Sequence, residues 1–174
     1  MIRIMIGLVV FIAALAALAV IPPASAQNFD DVVIETTPVA GPIHMLTGAG
    51  GNIGVSVGPD GVLMIDDQFA PLADKIRAAV QGLGGGDLKF LLNTHWHGDH
   101  VGGNEIFGPE TPIISHTNVR NRLVTEQVME RGTTPARPKE ARPVITFDHS
   151  LSIHFNDEEI RAIHFPHSHT DGDA

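Results

Sequence analysis

Four side chains able to hold a metal ion fall within six consecutive positions, in His95-Trp96-His97-Gly98-Asp99-His100. They follow directly on Leu88-Lys89-Phe90-Leu91-Leu92-Asn93, a short, mainly apolar run of the kind that forms a strand covered on both faces. No other feature constrains the fold as much. A buried strand must deliver its C-terminal end to a loop that gathers three imidazoles and a carboxylate. In extended backbone His95 and His97 project to the same side, so both reach one ion. Gly98 permits a sharp turn, which directs Asp99 and His100 toward a second ion. Imidazole nitrogen favours zinc and related transition metals, and the carboxylate adds compensating charge. Without a cation the loop is costly, because protonated imidazoles repel one another and Asp99 loses hydration.

Gly102-Gly103-Asn104 follows at once; two glycines let the backbone pass close to a metal centre and open a helix near Asn104. A second cluster runs from His164 to Asp173, again after a strand-like segment. A catalytic zinc commonly has three protein ligands and an open position, so one of these histidines should complete the first site. His169 is the preferred choice, because Thr170 and Asp171-Gly172 make a tight turn behind it. His167 is expected at the pocket rim or in solvent, and His164 as a satisfied strand histidine. Ser168 lacks the sequence context of a catalytic nucleophile.

The chain has 174 residues and divides into a leader and one domain. Residues 1–26 read as a signal peptide: Arg3, an uncharged apolar run from Ile4 to Ile21, Pro22-Pro23, and small residues at Ala24-Ser25-Ala26. Its removal leaves residues 27–174, periplasmic or secreted and without a membrane anchor. Strands are expected at Ile43–Leu46, Ile53–Val57, Val62–Ile65, Leu88–Asn93, Pro112–Ser115, Val144–Phe147, Leu151–Phe155 and Ile160–Phe165. Helices are expected over Pro71–Leu83 and Asn118–Arg131, the second with Val119, Leu123, Val124 and Val128 inward. Gly132–Pro143 reads as a surface loop. Strands with intervening helices, then a meander, give an α/β or α+β domain. A net charge of −9 without a basic cluster argues against nucleic acid as a partner. The absence of cysteine excludes disulfides, thiolate metal sites and thiol nucleophiles.

The His95-to-His100 run, Gly102-Gly103-Asn104 and His169-Thr170-Asp171-Gly172-Asp173 together resemble the metallo-β-lactamase superfamily. Gly50-Gly51-Asn52 and the strand end Ile65-Asp66-Asp67 resemble that superfamily's opening, so the likeness runs from about Val39 to Ala174. It implies an αβ/βα sandwich, of which this chain carries the N-terminal half, and two Zn2+ ions in the complete domain. His95, His97 and His169 are then ligands of the first ion, Asp99 and His100 of the second, and Asp66 supports the ligand loop. The family's later bridging Asp or Cys and last His have no counterpart before Ala174, so the chain is expected to be a truncated product or fragment. The implied activity is a zinc-dependent hydrolase acting on a small molecule with a lactam, lactone, ester or thioester carbonyl. In it a metal-activated hydroxide attacks while Asp99 orients the water and moves the proton. The alternatives are a catalytically silent metal-binding fragment and an exported zinc-binding protein.

Overall fold

The computed structural model describes residues 28–129 and 132–174; the expected signal peptide lies outside the described residues. Eleven strands and four short α-helices follow in the order β1 (Glu35–Ala40), β2 (Ile43–Thr47), β3 (Ile53–Gly58), β4 (Gly61–Ile65), α1 (Ala73–Gly82), β5 (Leu88–Asn93), α2 (Gly98–Val101), α3 (Asn104–Phe107), β6 (Ile113–His116), α4 (Thr117–Leu123), β7 (Gln127–Met129), β8 (Gly132–Thr134), β9 (Ile145–Phe147), β10 (Ser150–Phe155) and β11 (Glu158–Ile163). Single 3-10 turns at Ala70–Leu72 and Lys139–Ala141 complete the path.

Seven strands form one mixed sheet in the order β1-β2-β3-β4-β5-β6-β9. The first four pair antiparallel through tight connections, and β4, β5, β6 and β9 pair parallel through helical crossovers. This is the expected α/β (α+β) class. The parallel strands point their C-terminal ends the same way, so the loops after β5 and β6 emerge on one rim of the sheet, where α/β folds place ligands.

Alternation along β5 shows how both faces are covered. Leu91 is fully buried on the face that also packs Val55, Val62, Met64 and, from α1, Ala73 and Ile76. Its neighbour Leu92 points the other way, into a cluster with Ile114 and Phe147, against which Phe90 is also packed. The β10–β11 hairpin closes that second face through Leu151, Ile153 and Ala162. Phe90 and Phe155 meet edge to face at 5.7 Å. The hairpin turns at Asn156-Asp157, both with positive φ, as a two-residue primed turn requires. Asn156 then ties the hairpin to the large sheet: its amide donates to Ser56 Oγ at 3.0 Å and Gly61 O at 3.2 Å.

Two expected elements differ. Pro71 sits in a 3-10 turn, and the α-helix proper starts only at Ala73. The expected helix over Asn118–Arg131 ends at Leu123 and gives way to the β7–β8 hairpin. Its last carbonyls find other donors: Gln127 Nε2 reaches Arg122 O at 2.9 Å and the Arg137 amide reaches Leu123 O at 2.8 Å. Val128, expected inward, is therefore 79% exposed, whereas Val119 and Leu123 are buried as expected. The segment expected as a surface loop, Gly132–Pro143, contributes a strand and a fully buried Ala141.

Candidate metal centre

Strand β5 ends at Asn93, and the chain then bends through Thr94 to His97, which is itself extended, before α2 opens at Gly98. This bent segment brings His95 and His97 together. Their rings lie 4.9 Å apart. From the far side the loop after β11 brings in His169, whose ring is 5.1 Å from that of His95 and 4.7 Å from that of His97. One ligand nitrogen from each of His95, His97 and His169 falls within 4.8 Å of the other two. His169 Nε2 and His97 Nδ1 are 3.0 Å apart, close enough to share a proton.

Electrostatics favours neutral rings with available lone pairs. Burial, reinforced by the neighbouring His100, pushes His95 down to about 4. Burial and the facing His169 push His97 down as well. His100 behaves oppositely: burial opposes its charge, but the hydrogen bond to Asp66 together with the charges of Asp66 and Asp99 outweighs that and raises its pKa. His100 Nδ1 donates to Asp66 Oδ2 at 2.7 Å, which leaves Nε2 as the lone-pair nitrogen. That Nε2 lies 3.5 Å from Asp99 Oδ2, and the ring lies 4.0 Å from that of His95, tilted by 52°. Asp99 and His100 are thus brought together beside the three-histidine group.

The scaffold under the ligand loop is polar and satisfied. Asp66, at positive φ on the end of β4, accepts the Thr94 amide at 2.8 Å and the Thr94 hydroxyl at 2.7 Å. Asn93 and Asn104 exchange a reciprocal amide pair at 3.1 and 3.0 Å, both fully buried. The opening of α3 at Asn104 follows the Gly102-Gly103 junction, as the pattern predicts. Asp67 accepts the Gly103 amide at 2.8 Å, and burial keeps its carboxyl well above the usual carboxylate range. The loop of His169 is held from below: Asp173 accepts the amides of His169 and Thr170 and the Thr170 hydroxyl. Burial opposes the Asp173 charge, but these hydrogen bonds outweigh it and lower its pKa.

A glycine loop covers the site. A Cβ on Gly51 would fall 2.3 Å from His100 Cε1, and one on Gly50 would fall 2.6 Å from Asp99 Cβ. The fully buried Gln68 clamps this loop, donating to Gly51 O at 2.5 Å and accepting the Ala49 amide at 3.3 Å.

The remaining histidines of the second cluster lie elsewhere. His164 stacks on His116 at 3.8 Å and donates through Nδ1 to Asp173 O at 2.9 Å, outside the three-histidine group. His167 is exposed. Gln68 carries no local sequence signal, because Ala49 and Gly51 are 19 and 17 positions away, and the stack of His116 on His164 spans 48 positions, although His116 also accepts the Asn118 amide locally.

The donor set fits a divalent transition metal. Three imidazoles are the number and type of ligands a catalytic zinc takes, and the cradle over His100 leaves no room for a Cβ at Gly51.

The model of the metallo-beta-lactamase superfamily matches residues 46–174. Among solved structures, the chain is similar to the metallo-beta-lactamase GOB-18 from Elizabethkingia meningoseptica, with 22% identity and a TM-score of 0.72 over 87% of this chain and 58% of that one. It is similar to BJP-1, a subclass B3 metallo-beta-lactamase of Bradyrhizobium japonicum, with 20% identity and a TM-score of 0.66 over 81% and 55%. MEM-A1, a subclass B3 metallo-beta-lactamase from a soil metagenome library, gives 21% and 0.66 over 80% and 55%. The chain thus spans between 55% and 58% of the length of these structures. No curated protein matches it.

Proposed function

The chain belongs to the metallo-β-lactamase superfamily, and from that premise we propose that it is the site-bearing part of a zinc-dependent hydrolase of small molecules. The observation that carries this reading is the convergence of His95, His97 and His169 from two loops, with Asp99 and His100 alongside. His95, His97 and His169 would hold one Zn2+, and Asp99 with His100 would contribute to a second. When bound, such a metal supplies Lewis acidity that polarises a carbonyl and makes water reactive at neutral pH.

The chain's own groups then have distinct tasks. Burial keeps His95 and His97 unprotonated, so their lone pairs are available. Asp66 holds the Nδ1 proton of His100 and so fixes which nitrogen faces Asp99. Asp99 is the catalytic residue: its carboxylate, 39% exposed at the side chain, orients water and takes the proton at Oδ2. Gly50 and Gly51 let the backbone lie against Asp99 and His100, which excludes water from that side. The substrate carries a lactam, lactone, ester or thioester carbonyl. The leader pattern at residues 1–26 supports a periplasmic or secreted location, and no helix among the described residues is long and apolar enough to cross a membrane.

The test is hydrolysis by the zinc-supplemented chain of a chromogenic lactam, a lactone, a nitrophenyl ester and a thioester. Turnover of at least one, abolished by chelation and reduced roughly 100-fold or more in Asp99→Asn, supports the reading. Turnover that survives chelation, or none on any of the four, refutes it.

A further inference from the structure

Residues 28–34 precede β1 and form a strap without a helix or strand of its own. Phe29, Val32 and Ile34 pack against the main core cluster, whereas Val33 is exposed. Within the strap, Asn28 Nδ2 donates to Asp31 Oδ2 at 3.1 Å and the Val32 amide donates to Phe29 O at 3.2 Å. One side chain from elsewhere holds it down. Lys75, on α1, donates from Nζ to Phe29 O at 3.0 Å, to Asp30 O at 2.6 Å and to Val32 O at 2.7 Å. An ammonium has three N–H donors, and here each meets a main-chain carbonyl. Hydrogen bonds from a charged donor are about twice as strong as neutral ones, so this contact is the strap's main polar anchor.

The inward side chains of the strap end against the glycine loop. A Cβ on Gly48 would fall 2.5 Å from Ile34 Cδ1. The Phe29 and Phe69 rings meet at 5.1 Å, tilted by 49°, and a Cβ on Gly50 would fall 3.0 Å from Phe69 Cε2. Phe69 also forms an isolated parallel bridge with Gly102, the residue that closes α2 behind Asp99 and His100. On its other side the loop lies against Asp99 Cβ and the His100 ring. The loop is therefore caught between the strap and two of the candidate ligands. Closely packed groups pass a displacement on to their neighbours.

We propose that Lys75 is a positioning residue of the metal centre: by locking residues 28–34 it sets the glycine loop that holds Asp99 and His100 in place. The inference rests on the hydrolase reading for the task of those two ligands, and on the packing alone for the coupling. Gln68 holds the loop at Gly51 O and at the Ala49 amide. The strap adds what Gln68 does not, support at Gly48 through Ile34 and at Gly50 through Phe69. Without Lys75, Phe29 and Ile34 lose their fixed seat, and the loop and the His100 ring loosen together. The ladders of β5 with β4 and β6 do not involve Lys75 and stay as they are.

The experiment compares the full chain with Lys75→Met, Lys75→Arg and Phe29→Ala, all in chelator. It reads amide hydrogen exchange segment by segment, and the proton NMR signal of the His100 Nδ1–H that Asp66 accepts. In Lys75→Met and Phe29→Ala, exchange over residues 28–34 and 48–52 is expected to quicken roughly tenfold or more. Residues 88–93 and 113–116 should be unchanged, and the His100 signal should broaden or vanish. Lys75→Arg, which keeps a charged donor, should restore both readings in part. Unchanged exchange at residues 48–52, or an unchanged His100 signal, overturns the proposal. So does exchange that quickens equally in β5 and β6, the mark of general destabilisation, or failure of both Lys75→Met and Phe29→Ala to fold. The hydrolase reading fails separately, through absence of bound zinc or of turnover in the unaltered chain, and that outcome leaves both zinc-free readings intact.

Discussion

Asp66 Oδ2 accepts the Nδ1 proton of His100 at 2.7 Å, while Oδ1 accepts the Thr94 amide at 2.8 Å. One carboxylate on the end of β4 therefore orients a ring and anchors the start of the ligand loop after β5. Asn at position 66 tolerates the positive φ there but cannot accept from both donors. Asp66→Asn should weaken zinc binding roughly 10- to 100-fold, the usual effect of losing such a supporting group. Chelator competition measures this, and unchanged affinity would show that Asp66 does not orient His100.

The metal-free protein should lose stability on acidification through His95. An unfolded histidine titrates near 6.5, and burial holds His95 near 4. The folded state thus binds fewer protons between those values, so this contribution is complete above about 6.5 and is lost as pH falls toward about 4. His116, also pushed down by burial, acts in the same direction. His100 is raised and acts oppositely: its contribution is present below about 6.5 and is lost as pH rises through its folded value. Thermal unfolding in chelator should show Tm falling from pH 6.5 to 4.5, with a shallower fall in His95→Gln. Parallel curves would refute the assignment to His95.

The reciprocal pair Asn93–Asn104 lies fully buried beneath the same loop. Asn104→Ala removes a donor from Ala141 O and leaves the Asn93 amide without its partner. A loss of about 1–3 kcal/mol in urea unfolding is expected for one such unpaired buried group. A loss below about 0.5 kcal/mol, the ordinary range for surface changes, would mean that the pair is not formed.

The β7–β8 hairpin makes a contrast between two apolar positions of nearby sequence. Val128, 79% exposed, should accept lysine with a change within about 0.5 kcal/mol. Leu123, 4% exposed, should lose about 2–5 kcal/mol as alanine. A continuous helix would instead make Val128→Lys the more costly change.

Strand β5 was legible because Leu91 and Leu92 need opposite apolar faces, and only a covered parallel strand offers both. The approach of His95 and His97 was legible from their two-residue spacing at a strand end, although the chain bends through Thr94–His97 instead of running extended. The course of residues 124–134 was not. Val119 and Leu123 fit a helical period, but termination depends on Gln127 folding back to Arg122 O and on the distant Arg137 amide. The stack of His116 on His164 joins residues 48 positions apart and leaves no local trace. Gln68 is hidden for the same reason: its task is to hold Gly51, 17 positions earlier.

Zinc content of the purified chain after dialysis at neutral pH tests the metal centre most directly. At least one zinc per chain is expected, lost in both His95→Ala and His169→Ala and retained in His167→Ala. A chain that emerges without zinc, or one that keeps it after either of the first two substitutions, would contradict the assignment of His95, His97 and His169 as the metal-binding group.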